Sequence, residues 1–90
     1  MLTITYTTSF KKDYKKILKQ KKNIGKIDDV LYHLANFLPL DQRFRDHKLS
    51  GSCADKRECH IEPDWLLIYE ITERELILYR TGSHSELFGK

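Results

Sequence analysis

The spacing of apolar residues changes partway along this chain of 90 residues, from a helical to a strand-like period. In the first half, apolar residues recur about every three or four positions, as they do on the buried face of a helix. From Arg57 onward, short runs rich in aromatic and β-branched residues alternate with turn signals, which is typical of strands. Helices that precede a group of strands bury their apolar faces against a sheet, so the pattern predicts an α+β fold.

A short strand and two helices are predicted in the first half. Residues 2–6 alternate between apolar residues and threonines, which indicates a strand with one buried face. Apolar residues then recur at helical spacing over residues 10–18, which predicts a helix of about 13 residues that is broken at 23–25. A second helix is predicted to begin near Lys26 and to be stopped by Pro39, because proline disfavours helical geometry in the residue before it.

Three strands are predicted in the second half, after a connection over residues 39–56 that shows little periodicity. A connection of this length in so small a protein is either functional or loosely ordered. Turn signals at 63–64 and 73–74 divide the predicted strands, which span 57–62, 65–72 and 75–81, and a short tail follows. The predicted order is β-α-α-β-β-β, a helical hairpin packed on a mainly antiparallel sheet, in a single domain over residues 1–90.

Positive charge is concentrated in the predicted first helix and the segment after it. Eight lysines and a single acid, Asp13, give residues 11–26 a charge of +7, and since the whole chain carries +3, the remainder carries −4. A block this dense attracts RNA, DNA or an acidic protein. A solvated helix face with no partner explains the same lysines equally well.

Several classes of protein are excluded by the composition. Membrane spans need about 18 or more consecutive apolar residues, and the longest apolar run here extends only from Trp65 to Tyr69. The start of the chain lacks the features of a signal peptide, and two cysteines are too few for a disulfide framework. We therefore expect a cytoplasmic protein with no membrane attachment, while a Cys53–Cys59 bridge across a tight hairpin stays open.

Histidine is the side chain best suited to proton transfer near neutral pH. Of the four histidines, His33 lies within a predicted helix, and the others lie in the connection, the strand region and the tail: His47, His60 and His84. Any one of these taken singly is more often structural or merely exposed. If they converged on one site, the sequence would indicate acid–base catalysis.

Counting residues across the predicted hairpins gives a partial test of convergence. If both loops are even in length, His60 lies opposite Leu67 and Leu67 lies opposite Arg80. His60 and Arg80 would then share one sheet face roughly 10 Å apart, a span that fits a ribose and a phosphate. A bulge or an odd loop would turn one of them to the other face. Trp65 at the adjacent turn either stacks on an RNA base or belongs to the core.

Metal binding and thiol chemistry are disfavoured by the spacing of their candidate residues. Zinc ligand types occur at Cys53, Cys59, His60 and His84, but without the short spacings of zinc sites. Adjacent Cys59 and His60 should moreover point to opposite faces of a strand. Nothing places either thiol against a base, and no glycine-rich phosphate loop occurs. We therefore expect neither a metal nor a cofactor.

Three segments of the chain together resemble the YafQ branch of the RelE-type toxins. In one-letter code they read DHKLSG at 46–51, RECHIEPDWLLIY at 57–69 and YRTGSHSELF at 79–88. The similarity covers nearly the whole chain and includes its length and its order of elements. Each piece alone is weak, and the combination is specific.

The resemblance implies the small microbial-RNase-like α+β fold and the activity of a toxin from a bacterial type II toxin–antitoxin pair. Such toxins are metal-independent endoribonucleases that typically cleave mRNA in the ribosomal A site. A cognate antitoxin would neutralise the protein, with an acidic segment over the basic helix, and operator DNA would be reached only through that complex.

The resemblance also implies which residues form the site. The acid–base and phosphate-contacting positions match His47, His60, Asp64, His84 and Arg80. Positions expected to contact RNA are Trp65, Phe88, Lys11, Lys12, Lys15, Lys16 and Lys19. Acidic Glu58 and Glu62 flank His60 in a departure from the family pattern, so the general base stays open between His60 and Asp64. A non-catalytic binding module of the same fold, or a general RNA-binding domain, is the alternative function.

Overall fold

Five strands form one sheet in the computed structural model, which describes residues 1–51 and 55–89. The strands are β1 (Thr3–Tyr6), β2 (His47–Lys48), β3 (Arg57–Glu62), β4 (Trp65–Ile71) and β5 (Glu75–Gly82). Their order across the sheet is β1-β5-β4-β3-β2. β1 runs parallel to β5 and all other neighbours are antiparallel, which confirms the predicted sheet.

Two long helices and one short helix accompany the sheet in the described part of the chain. They are α1 (Thr8–Lys19), α2 (Ile24–Ala35) and α3 (His84–Phe88), and a 3₁₀ turn lies at Gln42–Phe44. α1 begins where the Thr7 hydroxyl accepts a hydrogen bond from the Phe10 amide, as an N-cap residue does. Within the described part of the chain, none of the helices combines the length and the apolar character that a membrane crossing requires.

The predicted limits of the second helix were wrong at both ends. The helix begins at Ile24 rather than near Lys26, because the Asn23 side chain caps it by accepting a hydrogen bond from the Gly25 amide. The helix ends at Ala35, four residues before Pro39. Phe37 adopts a left-handed conformation there (φ +59°), and the Leu38 amide donates back to the His33 carbonyl, which is a Schellman ending.

The main core lies between the sheet and the two long helices. Phe10 and Ile17 of α1 and the apolar side of α2 pack against alternating residues of the central strands. The other face of β4 is also buried, at Leu66 and Ile68. This second face forms an apolar floor on the side of the sheet away from the core cluster, and polar side chains of β3 and β5 share it by register.

The register of the central strands differs from the predicted register by one residue. His60 pairs with Leu66 rather than Leu67, and Arg80 pairs with Ile68. Register shifts after His60 and after Ile68 cause the difference. His60 and Arg80 nevertheless fall on the same face, because their partners Leu66 and Ile68 lie two residues apart on β4.

The short strand β2 and the short helix α3 were not predicted. β2 pairs His47 with Glu58 and adds an edge to the sheet. The predicted tail forms α3, in which Ser83 and Glu86 make a reciprocal capping box. Gly82 permits this close return, since its φ is +153° and a Cβ there would lie 3.0 Å from the Glu86 Oε1.

Trp65 belongs to the core, which corrects its assignment as an RNA-contacting residue. Its side chain is fully buried, and its indole N–H donates to the Thr81 hydroxyl at 3.0 Å. A ring with no exposed face offers no surface on which a base can stack. The core alternative is therefore the one that the structure supports.

The Trp65→Ala substitution should lower the free energy of unfolding by about 3–5 kcal/mol, because it removes a fully buried ring and leaves a cavity. Urea denaturation followed by circular dichroism measures the loss. The matched control is Phe37→Ala, whose ring is 66% exposed and whose removal should change stability by about 0.5 kcal/mol or less. Equal losses in the two variants would contradict the placement of Trp65 in the core.

Candidate active site

Three histidines from distant parts of the chain converge beside one another. His47 lies on β2, His60 on β3, and His84 is the first residue of α3. The ring centroids of His47 and His60 are 6.4 Å apart, and those of His60 and His84 are 5.7 Å apart. The sequence alone did not show whether these histidines converge. Their convergence meets the condition under which we expected acid–base catalysis.

Asp64 holds His84 through two hydrogen bonds. The carboxylate lies in the turn between β3 and β4, and its Oδ1 accepts from the His84 backbone amide at 2.9 Å and from Nδ1 at 2.7 Å. These bonds lower the pKa of Asp64 below its ordinary value, the amide having the largest effect. With Nδ1 donating to a carboxylate, Nε2 is the nitrogen of His84 that can exchange a proton with a substrate.

Glu58 lies within the candidate site, although the sequence did not assign it there. It is 8% exposed on β3, and its Oε1 lies 3.3 Å from Nε2 of His60 and 3.7 Å from Nε2 of His47. Strand alternation places Glu58 and His60 on one face, and β2 brings His47 opposite. The spacing of Glu58 and His60 already indicated that they share one strand face. Their proximity to His47 could not be inferred, because β2 was not predicted.

The other nitrogens of these two rings meet backbone carbonyls. Nδ1 of His47 lies 2.7 Å from the Arg45 carbonyl, and Nδ1 of His60 lies 3.4 Å from the Pro63 carbonyl. The first contact fixes the orientation of the His47 ring on its two-residue strand. The second is long for a hydrogen bond, so Nδ1 of His60 is only weakly engaged.

Asp46 anchors the segment that carries His47. Its carboxylate accepts two hydrogen bonds from the Arg57 guanidinium, each of 3.2 Å, and another from the Tyr69 hydroxyl. The bond to Asp46 raises the pKa of Arg57, and burial together with the same carboxylate raises the pKa of Tyr69. A residue next to His47 is thereby tied to β3 and to the core strand β4.

Arg80 lies on β5, four residues before His84, and it is bound to Asp13 of α1. Its Nε donates to Oδ2 at 2.6 Å and its Nη2 donates to Oδ1 at 3.2 Å. These hydrogen bonds raise the pKa of Arg80, so the guanidinium keeps its positive charge throughout the working pH range. Its side chain is 38% exposed and can still meet an anion.

Other residues expected to contact RNA lie on the surface of the protein. Phe88 of α3 is 48% exposed. The lysines of α1 are all exposed, and none of them forms an ion pair with a described residue: Lys11, Lys12, Lys15, Lys16 and Lys19. They are therefore available for an anionic partner.

A cavity of about 420 Å³ opens beside His60. It lies between the start of α2, the 3₁₀ turn and the turn after β3. The cations at its wall are Lys26, Arg43 and Arg45. The two arginines come from the connection that the sequence left without structure, and no motif singled them out. Asp29 and Glu62 also line the cavity, and Glu62 forms an ion pair with Lys26 at 2.7 Å, so the two arginines carry most of its positive charge.

The thiol of Cys59 lies apart from this arrangement. Cys59 lies in the core, on the face opposite His60 as expected, and burial raises the pKa of its thiol to about 12. Cys53 lies outside the described residues, and so does the open question of a Cys53–Cys59 bridge. Within residues 1–51 and 55–89, no three side chains of metal-binding type are grouped to hold an ion.

Known proteins are similar to this chain in fold and in sequence over nearly its full length. The family described as “Bacterial toxin of type II toxin-antitoxin system, YafQ” matches residues 2–89. The mRNA interferase toxin YafQ of Escherichia coli K12 is 41% identical over 87 residues, 96% of this chain and 95% of that protein. A copper-bound mutant toxin from Helicobacter pylori superposes with a TM-score of 0.94 at 44% identity, covering 98% and 100% of the two chains. A chain of the E. coli DinJ-YafQ toxin–antitoxin complex gives 0.90 at 40% identity, covering 98% of each.

Proposed function

The chain belongs to the YafQ family of bacterial type II toxins, and from this premise we propose that it is an endoribonuclease that cleaves mRNA. The observation that carries the proposal is the convergence of His47, His60 and His84 with two carboxylates that orient them. A protein that only binds RNA or an antitoxin has no need of histidines oriented in this way.

RNA supplies its own nucleophile, so the protein must move protons and stabilise charge. In the proposed reaction, a base removes the proton of the 2′-OH, and the resulting oxygen attacks the adjacent phosphorus. The bond from phosphorus to the 5′-oxygen breaks, and an acid gives that oxygen a proton. The products are a 2′,3′-cyclic phosphate and a 5′-OH. No step requires a metal ion.

His84 is the proposed general acid. Its Nδ1 is held by Asp64, which leaves Nε2 facing outward on an exposed ring. The negative charge of Asp64 stabilises the protonated ring, as the carboxylate does behind the histidine of a serine protease. The lowered pKa of Asp64 keeps this carboxylate ionised, and for the same reason Asp64 is a poor base.

His60 is therefore the proposed base. Glu58 engages its Nε2, while the contact of its Nδ1 with Pro63 is long enough to be given up when a 2′-OH approaches. Glu58 then stabilises the positive ring that forms. His47 faces the same carboxylate and has a 51% exposed side chain, which suits contact with the phosphate or a relay of the proton.

Arg80 is proposed to stabilise the negative charge that develops on the phosphorane-like transition state. A fixed guanidinium is suited to this role, since it presents several donors in one plane and does not lose its proton. Phe88 and the lysines of α1 would hold the flanking RNA, and we propose the mRNA in the ribosomal A site as the substrate.

A cognate antitoxin is the proposed protein partner, because a related toxin is found with its antitoxin in the E. coli DinJ-YafQ complex. The exposed lysines of α1 would bind an acidic segment of that antitoxin. The toxin itself would meet operator DNA only through the complex.

End-group analysis of cleaved mRNA tests the proposed reaction. Purified protein is added to ribosomes programmed with a defined mRNA and, separately, to the same mRNA alone. We expect discrete in-frame cuts on the ribosome, with a 2′,3′-cyclic phosphate or 3′-phosphate on one side and a 5′-OH on the other. The matched control is an mRNA with one 2′-deoxynucleotide at a mapped cut, which should resist cleavage there only.

Three results would contradict parts of this proposal. Cleavage that ignores the 2′-deoxynucleotide excludes attack by the 2′-OH. Equal cutting of free mRNA excludes a requirement for the ribosome. Growth arrest of bacteria without any cuts in mRNA favours the binding-module alternative, in which case substitution of the α1 lysines should relieve the arrest.

A further inference from the structure

The single acid among the eight lysines of residues 11–26 is a buried one. Asp13 is only 6% exposed, and it lies on the inner side of α1 between Phe10 and Ile17. An ionised carboxylate in such a position is costly unless charged or polar groups compensate it. The groups that compensate the charge of Asp13 therefore indicate what an acid does at this buried position.

Asp13 accepts three hydrogen bonds from two consecutive residues of β5. Oδ2 accepts from Nε of Arg80 at 2.6 Å and from the Thr81 amide at 3.1 Å, and Oδ1 accepts from Nη2 of Arg80 at 3.2 Å. β1 pairs with β5 only as far as Leu78. Asp13 thus supplies the acceptor that a neighbouring strand would otherwise provide at Thr81.

The contact leaves much of the guanidinium available. Of its five N–H donors, Asp13 engages the one on Nε and one on Nη2. The three remaining donors can bind a phosphate while the opposite edge stays fixed. Among the described residues, Asp13 is the only acid that forms an ion pair with Arg80.

The backbone beside Arg80 is anchored from the other side as well. The Thr81 hydroxyl accepts from the Trp65 indole at 3.0 Å and donates to the Leu66 carbonyl at 2.7 Å. The end of β5 is therefore held between α1 and β4. His84 follows Thr81 by three residues, so the contacts of Thr81 with α1 and β4 also support the start of α3.

We propose that Asp13 is a positioning residue for RNA cleavage, which fixes the plane of the Arg80 guanidinium before substrate binds. The inference rests on the proposed role of Arg80 in stabilising the transition state. A donor that is already oriented does not have to reorganise during the reaction, whereas a free arginine samples many rotamers. Asp13 acts in this way without touching the RNA.

The Asp13→Asn substitution tests the proposal, because asparagine keeps the size and one acceptor oxygen but removes the charge and the second acceptor. We expect the rate constant for cleavage at saturating protein to fall about 10- to 100-fold. The concentration that gives half-maximal rate should change little, since the RNA-contacting residues are intact. The control is Asp28→Asn, which makes the same chemical change at an exposed position of α2 and should cleave like the parent.

A double variant separates positioning from a general structural effect. If Asp13 acts through Arg80, adding Asp13→Asn to Arg80→Ala should cost less than about twofold more. A further loss of about 10- to 100-fold, or cleavage by Asp13→Asn at the parent rate, would overturn the proposal.

Solvent exchange of the arginine Nε–H, measured by NMR, tests the contact without turnover. In the parent, the Nε–H of Arg80 should exchange more slowly than that of exposed Arg43, and Asp13→Asn should remove the difference. Equal exchange at Arg80 and Arg43 in the parent would refute the fixed contact, even if the variant failed to fold. A parent that does not cleave RNA would refute the proposed function instead.

Discussion

Replacing His84 with alanine should lower the rate constant for mRNA cleavage by about 10²- to 10⁴-fold, the usual contribution of a general acid. The departing 5′-oxygen would then take its proton from water rather than from a held imidazole. His84 is exposed, and its removal leaves Asp64 in solvent, so the fold should persist. Cleavage of a ribosome-bound mRNA under single-turnover conditions gives the rate constant, and growth after induced expression gives the consequence in cells.

His33→Ala is the matched control for this variant. His33 lies on α2 outside the candidate site, and its ring contacts the Asp29 carbonyl of its own helix. The His33→Ala variant should cleave RNA and arrest growth like the parent. If His84→Ala kept its activity while His33→Ala lost it, the acid would have to be sought elsewhere. Arrest by His84→Ala in the absence of cuts would point to binding as the toxic action.

The three central strands could be predicted because their signals are local. Residues 57–62 were predicted to the residue, and the next two strands to within one residue, since turn residues flank runs of β-branched and aromatic side chains. β2 could not be predicted in this way. A strand of two residues has no periodicity, and it exists only because β3 offers it an edge.

The candidate site shows the same difference between features that are local in the sequence and features that depend on tertiary packing. The histidines, Asp64 and Arg80 were proposed from the resemblance, and counting across the hairpins grouped only His60 and Arg80 on one face. Glu58 acquires its role from a strand pairing with His47, and Asp13 meets Arg80 across 67 positions of the chain. Such pairs depend on how α1 and β2 dock on the sheet. The one-residue error in register arose likewise from bulges that alternation alone does not reveal.

Replacing Arg80 with alanine should lower the cleavage rate constant by about 10²- to 10³-fold, as the loss of a donor to developing charge does in other enzymes. Arg80→Lys should recover only part of this loss. Lysine restores one positive charge, but it cannot contact both oxygens of Asp13 and a phosphate in one plane. Binding of the antitoxin should be nearly unchanged in both variants, and calorimetric titration with the purified antitoxin measures it.

Arg80→Ala also leaves the buried carboxylate of Asp13 without its charged partner, so a loss of stability must be separated from a loss of catalysis. Asp13 would keep the Thr81 amide but lose both guanidinium bonds, so the variant should be less stable than Arg80→Lys. Rates are therefore compared at a temperature where circular dichroism shows both variants to be folded. If folded Arg80→Ala cleaves RNA at the parent rate, Arg80 stabilises the fold rather than the transition state. If Arg80→Lys is as impaired as Arg80→Ala, the planar fork held by Asp13 matters more than the charge.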